Sequence, residues 1–324
     1  MNRKLLLTSA AAACCAAMVV GVPAASATTE ATSENWAGYE ATNGSSNFSA
    51  VSGGWVQPTA RCTSQSPSYS AFWVGLGGGG QSSSALEQIG TQSDCTSSGT
   101  TQYYAWYELV PKAPVRLDMK VSPGDRMYAR VTVSGTTVRL SLDDETTGAS
   151  VVKTLQMSNP DTSTAEWVAE APSQCMSGIQ DCTPLPLTDF GSVKFTNAYA
   201  TSDGHTGSIG NSSWTTQAIA LAPSSSSMYA NGGYGYGGYG QYGFGEPTST
   251  SSNAAGAQPS PLSSNGTDFS VSFEANGGTS SQSTSGYAGS SGYGYGGGYG
   301  DGYGYGGGYG YGGYGYVPGA FMPY

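Results

Sequence analysis

Between residues 34 and 223, apolar and polar residues alternate in short runs, and Gly, Ser, Asn or Asp interrupts each run before a helical period can build. The segments 126–133, 137–142, 150–157, 193–198 and 214–221 share this period of two, the pattern of strands with one face in a core. About a dozen such strands over roughly 190 residues predict one all-β domain, a sandwich or barrel long enough to bury a substantial core.

That domain is expected to span 34–222, because the composition changes near residue 223. Tyr-Gly and Gly-Gly-Tyr units recur over 234–244 and 293–316, and beyond residue 223 the only charged residues are Glu246, Asp268, Glu274 and Asp301. Glycine at this density carries too much chain entropy and too little side chain to pack a core. Residues 223–324 are therefore expected to form a disordered low-complexity tail, with tyrosines suited to self-association or adhesion to a cell wall. Within it, only 269–273 has the alternation of an edge strand.

At the other end, Arg3 and Lys4 precede an Ala-rich apolar run ending in the small-residue pattern Ala25-Ser26-Ala27. This reads as a secretory signal over 1–27, with 28–33 a short linker and an extracellular destination. No other apolar run is long enough to cross a bilayer as a helix. Removing 1–27 takes two of the 11 basic residues and none of the 21 acidic ones, leaving 9 against 21 and a net charge of −12. Such a surface excludes nucleic acid as a partner and suits a protein that works in acid.

Four cysteines remain after export: Cys62, Cys95, Cys175 and Cys182. Their even number predicts two disulfides. Of the three possible pairings, Cys62–Cys95 and Cys175–Cys182 are expected, each bridging neighbouring loops. The spacings match no zinc motif and there is one histidine, so no metal and no cofactor is expected.

The candidate chemistry gathers on one strand, Thr164-Ala165-Glu166-Trp167-Val168-Ala169-Glu170. Alternation sends Ala165, Trp167 and Ala169 to one face and Glu166, Val168 and Glu170 to the other. The plainest expectation is that the second face is wet. Yet only 10% of the chain is charged, so two acids on one face call for a reason. They lie roughly 13 Å apart along the strand, so at most one can join a compact catalytic pair.

Two further segments supply partners. In Leu86-Glu87-Gln88-Ile89, Leu86 and Gln88 share a face; in Tyr103-Tyr104-Ala105-Trp106-Tyr107-Glu108, Tyr104, Trp106 and Glu108 line one face, a plausible groove floor. The lone histidine, His205, lies in a turn-like Asp-Gly-His-Thr-Gly segment and reads as a surface residue. No G-x-S-x-G elbow, no H-E-x-x-H and no aspartic-protease signature is present, and Asp161-Thr162-Ser163 does not supply the last of these. Acid–base work in this chain falls to carboxylates and amides.

The set Asn35-Trp36-Ala37-Gly38, Val51-Ser52-Gly53-Gly54-Trp55-Val56, Trp73-Val74-Gly75-Leu76, Glu87-Gln88-Ile89-Gly90, Tyr104-Ala105-Trp106-Tyr107-Glu108 and Ala165-Glu166-Trp167-Val168-Ala169-Glu170 resembles the glutamic peptidases, the G1 or eqolisin family, and most closely its bacterial branch. The resemblance covers about 34–222. It implies a sandwich of two bent, seven-stranded antiparallel sheets, polypeptide substrates, pepstatin-resistant acid endopeptidase activity and a glutamine–glutamate catalytic pair. Carried over, the glutamine is Gln88 and the glutamate Glu170, with Glu166 at the motif's other acid position. Trp73, Trp106 and Glu108 fall at supporting or substrate-binding positions. Gly77 and Tyr104 stand where the family has supporting acids.

Two other readings fit the residues. One is a sandwich glycoside hydrolase using Glu108 with Glu166 or Glu170, which would need the two acids about 5–9 Å apart. The other is a non-catalytic carbohydrate- or wall-binding module with an adhesive tail.

Overall fold

The computed structural model describes residues 30–62, 66–79, 83, 85–175, 182–222 and 255–277. The expected signal segment and most of the expected tail lie outside these residues. No helix occurs among them, and each of the five alternating runs named above falls on a strand.

One hydrogen-bonded path links the strands and divides into two halves of seven. The first half runs β10 (Ala149–Gln156), β9 (Thr137–Asp144), β8 (Arg126–Ser134), β3 (Phe48–Val56), β14 (Ser192–Ser202), β18 (Phe269–Glu274) and β17 (Gly256–Pro259). The second runs β16 (Thr215–Leu221), β2 (Trp36–Thr42), β11 (Thr164–Glu170), β4 (Ala71–Gly77), β5 (Leu86–Cys95), β6 (Thr101–Val110) and β7 (Val115–Arg116). A single residue pair, Leu221 with Ala257, joins the halves at β16–β17. All these pairings are antiparallel. The halves face each other as a sandwich, with β3 packed on β4 and β11, and β8 on β4 and β5.

Two boundaries differ from the sequence expectation. The linker ends in a strand, β1 (Glu30–Ser33), which pairs in parallel with β16. Residues 255–277, expected to be tail, enter the sheet: β18 pairs with β14, β17 with β16, and the two with each other. The run 269–273 is thus an interior strand. Its alternation was visible, but short length and Ser/Gly-rich flanks hid its place inside the sheet, because a strand this short draws its stability from its neighbours.

The core between the halves takes Ala165, Trp167 and Ala169 from β11, Phe72, Val74 and Leu76 from β4, and Trp55, Phe195 and Leu140 from across the sandwich. Trp167 donates its indole N–H to the Ser52 carbonyl at 2.8 Å. Its ring lies against Gly53, where an added Cβ would stand 2.8 Å from Cδ1, so only glycine admits it there.

The Cys62–Cys95 disulfide is present and closes a separation of 33 residues. In the loop-entropy account this stabilises the fold by ~4 kcal/mol. Reduction is expected to lower the melting temperature by roughly 8–15 °C, which calorimetry with and without reductant checks. Cys175 and Cys182 are register partners in the hairpin of β12 (Ser173–Cys175) and β13 (Cys182–Pro184), and Cys182 is disulfide-bonded. The side chain of Cys175 lies outside the described residues.

Candidate active site

The outer face of the second half is not wet. Glu166, Val168 and Glu170 are 0%, 0% and 2% exposed, and Val168 belongs to a second apolar cluster with Trp36, Trp73, Trp106, Tyr104, Leu86 and Val110. Directly paired residues of adjacent strands point to the same face, so the register sorts this face into rows. One row reads Glu40, Glu166, Gly75, Gln88, Glu108 across β2, β11, β4, β5 and β6. The next reads Gly38, Val168, Trp73, Gly90, Trp106, and the third Trp36, Glu170, Ala71, Gln92, Tyr104.

This register separates the expected partners Gln88 and Glu170, which lie two strands and four residues apart, roughly 16 Å between Cα atoms. Glu166 instead lies in the row of Gln88, with only Gly75 between them. Glu108 and Glu166 are three strands apart, roughly 14 Å, too far for a glycosidase pair.

Gln88 is fully buried and donates from Nε2 to Glu108 Oε2 at 2.7 Å, which fixes the amide plane. Its Oε1 has no partner among the described residues, and neither oxygen of Glu166 has one. Trp106 Nε1 on the same face is likewise unpartnered among them. Buried polar atoms without partners are costly, and their concentration on one face marks where an incoming molecule would supply hydrogen bonds.

Glu166 sits among other acids. Burial pushes its carboxyl well above the usual range, and Glu40, then Asp161 and Glu87, push it further, opposed by the nearby Thr164 hydroxyl. Burial and then Asp161 push Glu40 up to about 7. Glu87, on the opposite face of β5, is pushed up to about 8, chiefly by burial, although its Oε1 accepts from the Asp161 backbone N–H at 3.2 Å. Asp161 is the exception. Burial raises it, but the Ser83 hydroxyl, Ser163 and the Gly78 backbone N–H together hold it below the usual carboxylate range. Asp161 also explains Gly77: with φ +82° and a would-be Cβ 2.6 Å from Asp161 Cβ, this position admits no side chain. Among the described residues, no three His, Cys, Asp or Glu side chains converge to hold a metal ion.

Glu170 is held differently. Its Oε2 accepts from Trp73 Nε1 at 2.7 Å and its Oε1 from Asn35 Nδ2 at 3.2 Å. Burial nevertheless pushes it up to about 7, against these donors and the Trp36 indole. At the far end of the face Asp94 is pushed up to about 7, mainly by burial. His205 lies exposed on β15 (His205–Ser208), in the other half.

Glu40, Glu87, Asp94 and Glu170 bind their protons more tightly folded than unfolded, where carboxyls titrate near 4. The folded state then holds more protons between about pH 4 and 8, so stability falls as pH rises across that window. It is fully present below about pH 4 and lost through pH 7 to 8, a change of at least about 5 kcal/mol, since all four shifts run the same way. The melting temperature is expected to drop by roughly 10–20 °C from pH 4 to pH 8. A flat profile in differential scanning calorimetry would contradict the burial of these groups.

Of the residues singled out from the sequence, Gln88, Glu108, Trp106, Trp73 and both acids of β11 lie together on this one buried face. The face also holds Glu40, which follows Trp36 and Gly38 on the same strand face, and Asp161 approaches it from a loop with no periodic signal; neither was singled out from the sequence.

An antiparallel sandwich with a buried glutamine and a buried glutamate facing across a glycine has the ingredients of a hydrolase that works by side-chain acid–base chemistry. Residues 34–230 match the family model of the Peptidase A4 family. Over 203 residues the chain is 32% identical to aspergillopepsin-2 of Aspergillus niger, a match spanning 55% of this chain and 68% of that protein. Scytalido-glutamic peptidase, solved with a transition state analog inhibitor, superposes with a TM-score of 0.54 at 25% identity, covering 74% of this chain and 98% of that one. SCP-B, an eqolisin-family peptidase solved with the tripeptide Ala-Ile-His, superposes with a TM-score of 0.50 at 26% identity, with the same coverage. The chain belongs to the Peptidase A4 family, the G1 or eqolisin peptidases, and is a peptide-bond hydrolase acting on polypeptides.

Proposed function

We propose that this protein is a secreted acid endopeptidase whose reacting pair is Glu166 and Gln88. One observation carries the reading: the two share a sheet row across Gly75, and both end in buried polar atoms with no partner among the described residues. This assignment replaces Glu170, which the motif resemblance favoured, because the register favours its neighbour four residues earlier. Secretion rests on the signal-like segment 1–27.

A polypeptide crossing β4 would bring its scissile carbonyl over Gly75, with a water between the two side chains. The Glu166 carboxylate takes a proton from that water as its oxygen attacks the carbonyl carbon. The developing oxyanion accepts the Gln88 N–H not engaged by Glu108. The C–N bond then breaks as the protonated Glu166 returns the proton to the leaving nitrogen, which restores the carboxylate. Burial among acids strengthens Glu166 as a base once it is ionised, because it raises its affinity for the proton. In acid Glu40 and Glu87 are neutral, which lessens the repulsion opposing that ionisation, and the ionised fraction of Glu166 is the form that takes the proton from water.

The test is proteolysis of casein at acid pH by Glu166→Gln and Gln88→Ala. Loss in both, in proteins that remain folded, supports the pair; full activity in either removes that residue from its role.

A further inference from the structure

Trp73 occupies an unusual place on this face. One edge of its indole, at Nε1, is held by Glu170 in the third row. The opposite edge reaches the first row: a Cβ added to Gly75 would stand 2.9 Å from Trp73 Cζ3 and 3.3 Å from Gln88 Cβ. The ring therefore spans from Glu170 to the glycine that separates Glu166 from Gln88. Gly90 makes room for it, since a Cβ there would fall 2.6 Å from Trp73 Cβ. Trp36 packs edge-on against the ring with centroids 5.0 Å apart. Asn35 holds the second oxygen of Glu170, and its backbone carbonyl accepts from the Ala171 N–H at 2.8 Å. The carboxyl is thus anchored on both oxygens before any substrate arrives.

We propose that Glu170 is a positioning residue, whose hydrogen bond to Trp73 holds the indole as the floor of the gap where Glu166 and Gln88 face each other. The proposal rests on the reading of that pair. Glu170 serves as an acceptor and does not exchange a proton with the substrate. In acid its carboxyl is neutral, because its pKa lies at about 7, and a neutral carboxyl still offers a carbonyl oxygen to Nε1. Glutamine offers the same oxygen. Alanine offers none, and the indole is then free to shift by the fraction of an ångström that matters at a reacting centre.

The test measures kcat and KM on a peptide substrate, together with the indole ¹H–¹⁵N resonance of Trp73. Glu170→Gln is expected to keep kcat within about fivefold, with an unchanged pH profile and a near-native Trp73 resonance. Glu170→Ala is expected to lower kcat about 10²-fold, leave KM within about threefold, and move the Trp73 resonance. Trp73→Phe keeps most of the ring but loses the N–H, and should match that kcat loss; the double variant should fall no further. If Glu170→Ala does not fold, Glu170→Gln and Trp73→Phe decide the matter. Abolished activity in Glu170→Gln, or full kcat in Trp73→Phe, overturns the positioning role whatever Glu166→Gln does. Activity retained in Glu166→Gln overturns the catalytic pair instead.

Discussion

Replacing Glu166 by glutamine is expected to lower kcat/KM at acid pH by about 10³-fold or more, since one group serves as base for the attack and acid for the departure. Glutamine preserves shape and can neither take nor return a proton. Gln88→Ala removes the oxyanion donor, for which a loss of about 10²–10³-fold is expected. Because the two residues act in the same step, the double variant should fall little below Glu166→Gln alone. Stability separates this result from simple unfolding. Glu166 is a buried acid whose ionisation is opposed by burial and by Glu40, Asp161 and Glu87. Its neutral replacement should therefore melt at the same temperature in acid and at a higher one near neutral pH. Loss of activity with an unchanged or raised melting temperature supports the pair, and a collapsed fold in acid would count against this account of the site.

Ending the chain at residue 222 is expected to abolish folding, whereas ending it at residue 277 should leave an active domain. The shorter chain lacks β17 and β18. It leaves β14 and β16 with unpaired backbone groups along the edges where these strands were bonded. It also removes Ala257, Phe269 and Val271 from the core, which are 0%, 3% and 0% exposed. Phe269 stacks on Phe195 with centroids 5.0 Å apart and meets Tyr39 edge-on at 4.7 Å. Losing one buried Phe costs about 3–5 kcal/mol, and a domain's whole stability is about 5–15 kcal/mol. Far-UV circular dichroism and a melting curve on both chains check this. A cooperative transition in the 222-residue chain would show that the hairpin is dispensable.

The sheet was legible where alternation ran long enough. In β11 the parity of Trp167 against Glu166 and Glu170 held, and so did that of Gln88, Trp106 and Glu108 on β5 and β6. Composition misled at β17 and β18. The run 269–273 showed the alternation of an edge strand, but among glycines and serines nothing in it foretold the interior place between β14 and β17. Asp161 was illegible for another reason: it acts from a loop, through hydrogen bonds to Ser83, Ser163 and Gly78 that no periodicity reports.

The amino-acid order alone determined the all-β class, the two faces of each long strand and the shortlist of one amide and a few carboxyls. Those depend on side chains near in sequence, where a period of two is a local property of the backbone. Which acid of β11 shares a row with Gln88 was decided by tertiary pairing, because β4 sets the register of β11 against β5 between strands far apart in sequence. A strand with an acid at both ends can slide by four residues and show the same faces; only its neighbours choose between Glu166 and Glu170.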